Sequence, residues 1–283
     1  METPGRPGRV RRMGRLTEPT EEGLLTYGDY LKVPELLSLR WVRTELLEGQ
    51  ELRSDPPVHD EHLFIVVHQA YELWFKQLLV ELESIRDRML GNDPGRAGHY
   101  LRRVHAVERV LIEHIEVLQT MTPQDFLEFR TLLAPASGFQ SAQFREVEFV
   151  SGLKDRRYLD DLAASPEERA RLERRLAEPT LWDAFCAMLE ANALLMPAGD
   201  DEIRRDSLRR MAREPTHAAL FAASEGLLDH DEAVAIWRNN HVLMVEREIG
   251  SKRGTGGSSG VSYLRTTLGK RFFPELWDVR SYL

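Results

Sequence analysis

"HDEHLFIVVHQAYELWFKQLLVELESIRDR", residues His59 to Arg88, decides the fold. Its apolar residues recur at helical and not at strand spacing. Leu63, Val67, Trp74 and Leu78 gather on one side, and Glu61, Glu72 and Lys76 are expected to point away. Upstream, "SDPPVHDE" punctuates the chain, and "YGDYLKVPELLSLR" from Tyr27 to Arg40 reads as a turn leading into a short helix. Downstream, Tyr100 to Thr120 forms a second long helix with Leu101, Val104, Leu111, Ile115 and Leu118 on one face. Thr122 is the N-cap of a further helix with Pro123 at its first position, and Ser165 and Glu168 form a capping box around Pro166. Another helix covers Asp231 to Ile249. Period-2 runs are almost absent, so the fold class is all-α, a helical bundle. One domain is expected over residues 21–283, after a disordered basic tail at 1–20.

The 283 residues carry a net charge of −8 and are 42% hydrophobic, which disfavours nucleic acid and anionic membrane as partners and permits a large core. The single cysteine, Cys186, excludes a disulfide framework and reads as a small buried hydrophobe, in keeping with a cytoplasmic setting. No apolar run reaches membrane-spanning length. Arg6, Arg9, Arg11, Arg12 and Arg15 have no apolar stretch after them, so the N-terminus does not read as a secretory signal.

Of nine histidines, most stand beside charged residues and read as solvated. Two differ. His68 falls on a helical stripe with Phe64, Tyr71 and Phe75, and His241 shares a face with Val234, Trp237, Met244 and Val245. Each could be a core imidazole satisfied by a carbonyl. Two on separate helices of an all-α chain also match the way bundles build metal and cofactor sites from facing helices. "HDEH" at 59–62 lacks the His-Glu-x-x-His spacing of a zinc hydrolase, no Cys/His cluster has structural zinc spacing, and no Cys-x-x-Cys-His is present for covalent haem. A non-covalent haem on one neutral imidazole stays open. Arg130, before a Pro/Ser/Gly turn, reads either as a bidentate carboxylate clamp or as a cation near a helix C-terminus.

"GSKRGTGGSSGVSYLR", Gly250 to Arg265, is too rich in glycine and serine to be regular structure. It has neither the strand before it nor the glycine at Ser259 that a Rossmann fingerprint needs. No Lys-Ser/Thr pair follows its glycines as in a P-loop. Linker and lid remain.

Four blocks, "YGDYL", "HDEHLFIVVHQAYELWFKQLL", "FRTLLAPASGFQSAQFREVE" and "WRNNHVLMVEREIGSKRGTGGSSGVSYLR", resemble the haem-dependent tryptophan 2,3-dioxygenase family. The resemblance implies an all-α homotetramer with haem b, using O2 to open the indole 2,3 bond of L-tryptophan and give N-formylkynurenine. It implies His241 as proximal ligand of the ferrous iron and His68 as the distal histidine meeting the indole N–H. It further implies Phe64 as a pocket wall, Arg130 as the carboxylate clamp and Thr255 as the partner of the substrate ammonium. Ser137 falls in the distal-side turn, and Tyr27, Tyr30 and Leu31 in a segment lent by a neighbouring subunit. Between Pro197 and Trp237 the only aromatic residue is Phe221, fewer than the family pattern carries. Insertion of one oxygen atom into an indole, and a haem sensor without turnover, are the alternatives; Arg130 and Thr255 together favour an enzyme.

Overall fold

The computed structural model describes residues 26–39, 58–161 and 164–283, and every regular element among them is helical. The expected tail at residues 1–20 lies outside the described residues, as does Arg40. The chain divides into two compact units, residues 1–41 and 42–283. In the first, α1 (Tyr27–Leu31) opens with a capping box between Thr26 and Asp29, and α2 (Val33–Ser38) follows after Lys32 in a left-handed turn at φ 54°.

The second unit opens with α3 (His59–Leu90), α4 (Pro94–Leu118) and α5 (Pro123–Leu133), then a 3-10 turn at Gly138–Gln140. The short α6 (Ala142–Ser151), α7 (Tyr158–Asp161), α8 (Pro166–Ala177), α9 (Leu181–Ala191) and α10 (Asp201–Arg213) lead to the long α11 (Ala218–Ile249), and α12 (Val261–Arg265) and α13 (Pro274–Val279) close the order. The expected capping boxes of α5 (Thr122 with Asp125) and α8 (Ser165 with Glu168) are present, each with proline in the first turn. Asp93 caps α4 in the same way ahead of Pro94, which starts that helix six residues before the expected Tyr100.

α4 is the spine. Both α3 and α11 pack along it, and their own backbones stay apart, meeting through Tyr71 and Phe75 against Trp237. Leu101, Val104, Leu111, Ile115 and Leu118 are buried as the periodicity requires. α11 begins 13 residues before the expected Asp231 (218 against 231), because the Ala- and Leu-rich stretch ahead of it continues the helix through Gly226. A Cβ at Gly226 would sit 2.9 Å from Leu101 Cδ1, so glycine there permits the close approach of α11 to α4. Glu61, expected to face solvent, is 1% exposed: it lies in the first turn of α3, where the N-terminal dipole of a helix without a side-chain N-cap favours an anion. Glu72 is half-buried, with Gln143 Nε2 donating to its carboxylate at 2.8 Å, while Lys76 is exposed. Among the described residues no helix is long and apolar enough to cross a membrane.

Candidate functional site

α3 presents Phe64, His68, Tyr71 and Phe75 along one stripe. The His68 ring lies against Phe64, centroids 4.0 Å apart, and its Nδ1–H donates to the Phe64 carbonyl at 2.7 Å. That bond fixes the tautomer and leaves Nε2 as the free lone pair. Burial lowers the His68 pKa, against the opposing pull of the Phe64 carbonyl, so the ring is neutral and Nε2 is an acceptor. Phe64 is itself clamped by α5, stacking on Phe126 at 5.9 Å and meeting Phe129 edge-on at 5.6 Å. Each such pair contributes roughly 0.5–1.5 kcal/mol beyond its buried area, so this wall is stiff.

On α11, Trp237 and His241 stand one turn apart with rings parallel to 2° and centroids 5.4 Å apart. Neither nitrogen of His241 has a hydrogen-bond partner among the described residues. Burial pushes its pKa down to about 4, and the neighbouring His68 adds to that shift. His68 and His241 therefore address the same space from two helices. Tyr71 joins them: its hydroxyl donates to the Leu111 carbonyl of α4 at 2.8 Å, and its ring meets Trp237 edge-on and stacks on His114 at 5.1 Å. His114 Nδ1 is buried without a partner, and burial lowers its pKa.

Arg130 closes the last turns of α5, one residue after the fully buried Phe129, and its Nη2 donates to the Arg253 carbonyl in the glycine loop. Thr255 Oγ1 donates to the Ala136 carbonyl at 2.6 Å. Ser137 caps the 3-10 turn, its hydroxyl accepting from Phe139 N. A Cβ at Gly256 would come within 2.7 Å of Ser137 Cβ, so glycine lets the loop lie flat on this turn. The structure thus brings Arg130, Ser137 and Thr255 together along one edge, and Phe64 and His68 into one aromatic wall. Tyr27, Tyr30 and Leu31 belong to the first unit, where they are 78%, 72% and 44% exposed.

Sequence reasoning missed a second polar cluster. His230, expected among the solvated histidines, is 0% exposed; Nδ1–H donates to Glu108 Oε1 at 2.5 Å and Nε2 pairs with the Ser151 hydroxyl at 2.9 Å. The signal was available: Glu108 interrupts the apolar face of α4 between Val104 and Leu111, and His230 shares a face with Val234, Trp237 and His241. Phe126, Phe129 and His114 were likewise unmarked. Cys186 is only partly buried, packed against the core beside Arg204, and burial drives its thiol up to about 12, which makes it inert.

A family model described as tryptophan 2,3-dioxygenase matches residues 15–203 and 208–283. The chain belongs to the tryptophan 2,3-dioxygenase family. It is 56% identical over 265 residues to a tryptophan 2,3-dioxygenase of Nocardioides sp., covering 92% of this chain and 95% of that one. A Herpetosiphon aurantiacus protein of the same name is 44% identical over 92% of this chain and 98% of its own. One from Anaeromyxobacter sp. strain K is 41% identical over 95% of this chain and 100% of its own.

Proposed function

We propose that this tryptophan 2,3-dioxygenase family member oxidises L-tryptophan with O2 to N-formylkynurenine, using haem b held by His241. The observation that carries the reading is His241 itself. A neutral imidazole with no hydrogen-bond partner, steadied by a parallel indole and opposed by a second neutral imidazole, is the donor that a haem iron takes. Among the described residues no group of three or more His, Cys, Asp or Glu could hold a bare metal ion, so a single protein ligand suits an iron already held by a macrocycle. When bound, the haem supplies oxygen binding and activation.

The chain's own residues bind and orient. His68 Nε2 accepts the indole N–H. The slot beside Phe64 takes the flat ring, and Phe126 and Phe129 keep that wall from yielding. Arg130 turns its fork to the substrate carboxylate, exchanging its bond to the Arg253 carbonyl for a charge-assisted pair. Thr255 meets the ammonium, and the glycine loop lies over the site against Ser137, excluding water. Tyr27, Tyr30 and Leu31, exposed in their own unit, complete the pocket of a neighbouring subunit in a homotetramer.

The deciding experiment incubates the reduced haem-loaded protein with L-tryptophan under O2 and weighs the product. Gain of two oxygen atoms with an opened indole supports the reading; gain of one or none overturns it.

A further inference from the structure

The glycine loop makes one side-chain bond to the turn beneath it, from the Thr255 hydroxyl to the Ala136 carbonyl. Its other bonds are internal, from Gly254 N to Ser258 O and from Gly257 N to Gly254 O. A lone neutral hydrogen bond is a weak anchor against water. The chain leaves the loop through α12, whose third residue, Tyr263, meets the ring of Phe139 edge-on, centroids 5.3 Å apart and planes at 81°.

Phe139 lies in the 3-10 turn that Ser137 caps, and beneath it the Arg145 guanidinium carbon is 4.9 Å from the Phe139 centroid and 4.1 Å from that of Tyr158. Arg145 is buried and ion-paired to Glu148 at 2.5 Å. Glu148 also accepts from Arg238, three residues before His241 on α11, at 2.8 Å. The seat under Tyr263 is therefore a buried, charge-braced platform continuous with the helix that carries His241. Burial, and then the nearby Tyr158 hydroxyl, push the Tyr263 phenol up to about 12, so it stays neutral in place.

We propose that Tyr263, seated edge-on against Phe139 above Arg145, is the positioning residue that fixes the downstream end of the glycine loop and thereby sets Thr255 over the site. The proposal rests on the reading that Thr255 meets the substrate. A tether at α12 leaves residues 252–258 free to lift, yet returns Thr255 to one position on closing. The ring is what acts, because its edge carries the contact to Phe139.

The test uses the haem-loaded full chain and two variants, Tyr263→Leu and Tyr263→Phe. Amide hydrogen exchange across 254–260 in tryptophan-free protein rises about three- to tenfold in Tyr263→Leu, the range that losing one aromatic pair implies. KM for tryptophan rises by a similar factor, while kcat and the Soret band hold. Tyr263→Phe restores both readouts. Parent-like exchange in Tyr263→Leu overturns the proposal. Equal impairment in Tyr263→Phe, or a fall in kcat at unchanged KM, overturns it too. A parent that fails to oxidise tryptophan defeats the functional reading instead, and the exchange comparison without tryptophan still decides the role of Tyr263.

Discussion

The indole of Trp237 lies parallel to the imidazole of His241, one helical turn away, at an interplanar angle of 2°. This stacking holds the ring in one orientation without using either nitrogen, which leaves both available for chemistry. The proximal assignment follows from it: His241→Ala loses haem or binds it weakly, whereas His68→Ala keeps haem and loses turnover. A full, unshifted Soret band in purified His241→Ala would remove the assignment.

Arg130→Lys keeps the charge and loses the fork. One charge-assisted hydrogen bond is worth roughly 1.5–3 kcal/mol, so kcat/KM for tryptophan falls by about one to two decades. Tryptamine, without a carboxylate, is a poor substrate of the parent and is nearly indifferent to the change. Equal losses for both compounds would mean that Arg130 supports the fold.

Stability of the haem-free protein depends on pH through His241. Its folded pKa of about 4 lies below the unfolded value of 6.5, so as pH falls through that window the unfolded chain binds a proton that the folded one refuses. Stability is lost on acidification, by about 2 kcal/mol between pH 7 and pH 5 for this group. Urea melts at the two pH values, compared between the parent and His241→Leu, isolate the contribution; identical slopes against pH in the two proteins would refute it.

Gly256→Ala forces its new methyl toward Ser137 Cβ, a backbone-anchored neighbour that cannot swing away. The loop then lifts from the turn, KM for tryptophan rises, and the haem spectrum stays put. Steady-state kinetics that match the parent would show that the loop does not need this close approach.

His230→Leu leaves the Glu108 carboxylate buried with neither oxygen paired, since Oε2 already has no partner. Removing one partner of such a pair costs about 3–5 kcal/mol, while replacing both by apolar residues recovers much of it. The double variant Glu108→Leu/His230→Leu is therefore more stable than His230→Leu alone, as chemical denaturation measures directly. A double variant no better than the single would show that the cluster does not act as a pair.

The parts legible in the sequence were those written in local periodicity and capping. The stripe through Val67 and Leu78, the Thr122 and Ser165 caps and the apolar faces around His68 and His241 each need only a window of a few turns to be read. What escaped depended on which helix lies opposite. Glu61 looks solvent-facing until the uncapped N-terminus of α3 is seen around it, and His230 looks solvated between Asp229 and Asp231 until Glu108 and Ser151 arrive from α4 and α6. The start of α11 was missed because Gly226 reads locally as a breaker, whereas its missing side chain serves the contact with Leu101. The pairing of Arg130 and Thr255 with one loop is a contact across more than a hundred residues, which no local pattern encodes.

Asp231, beside His230 on α11, gathers three donors from far downstream: the amides of Phe272 and Phe273 at 3.0 and 3.2 Å and the indole N–H of Trp277 at 2.9 Å. Phe272 and Phe273 fill the core behind it. On the ribosome, α11 is made before any of these three partners exists. His241 is therefore translated into a helix that cannot be seated until Trp277 has emerged, and a nascent chain stalled short of that point would present a haem-ligating imidazole on an unfinished core.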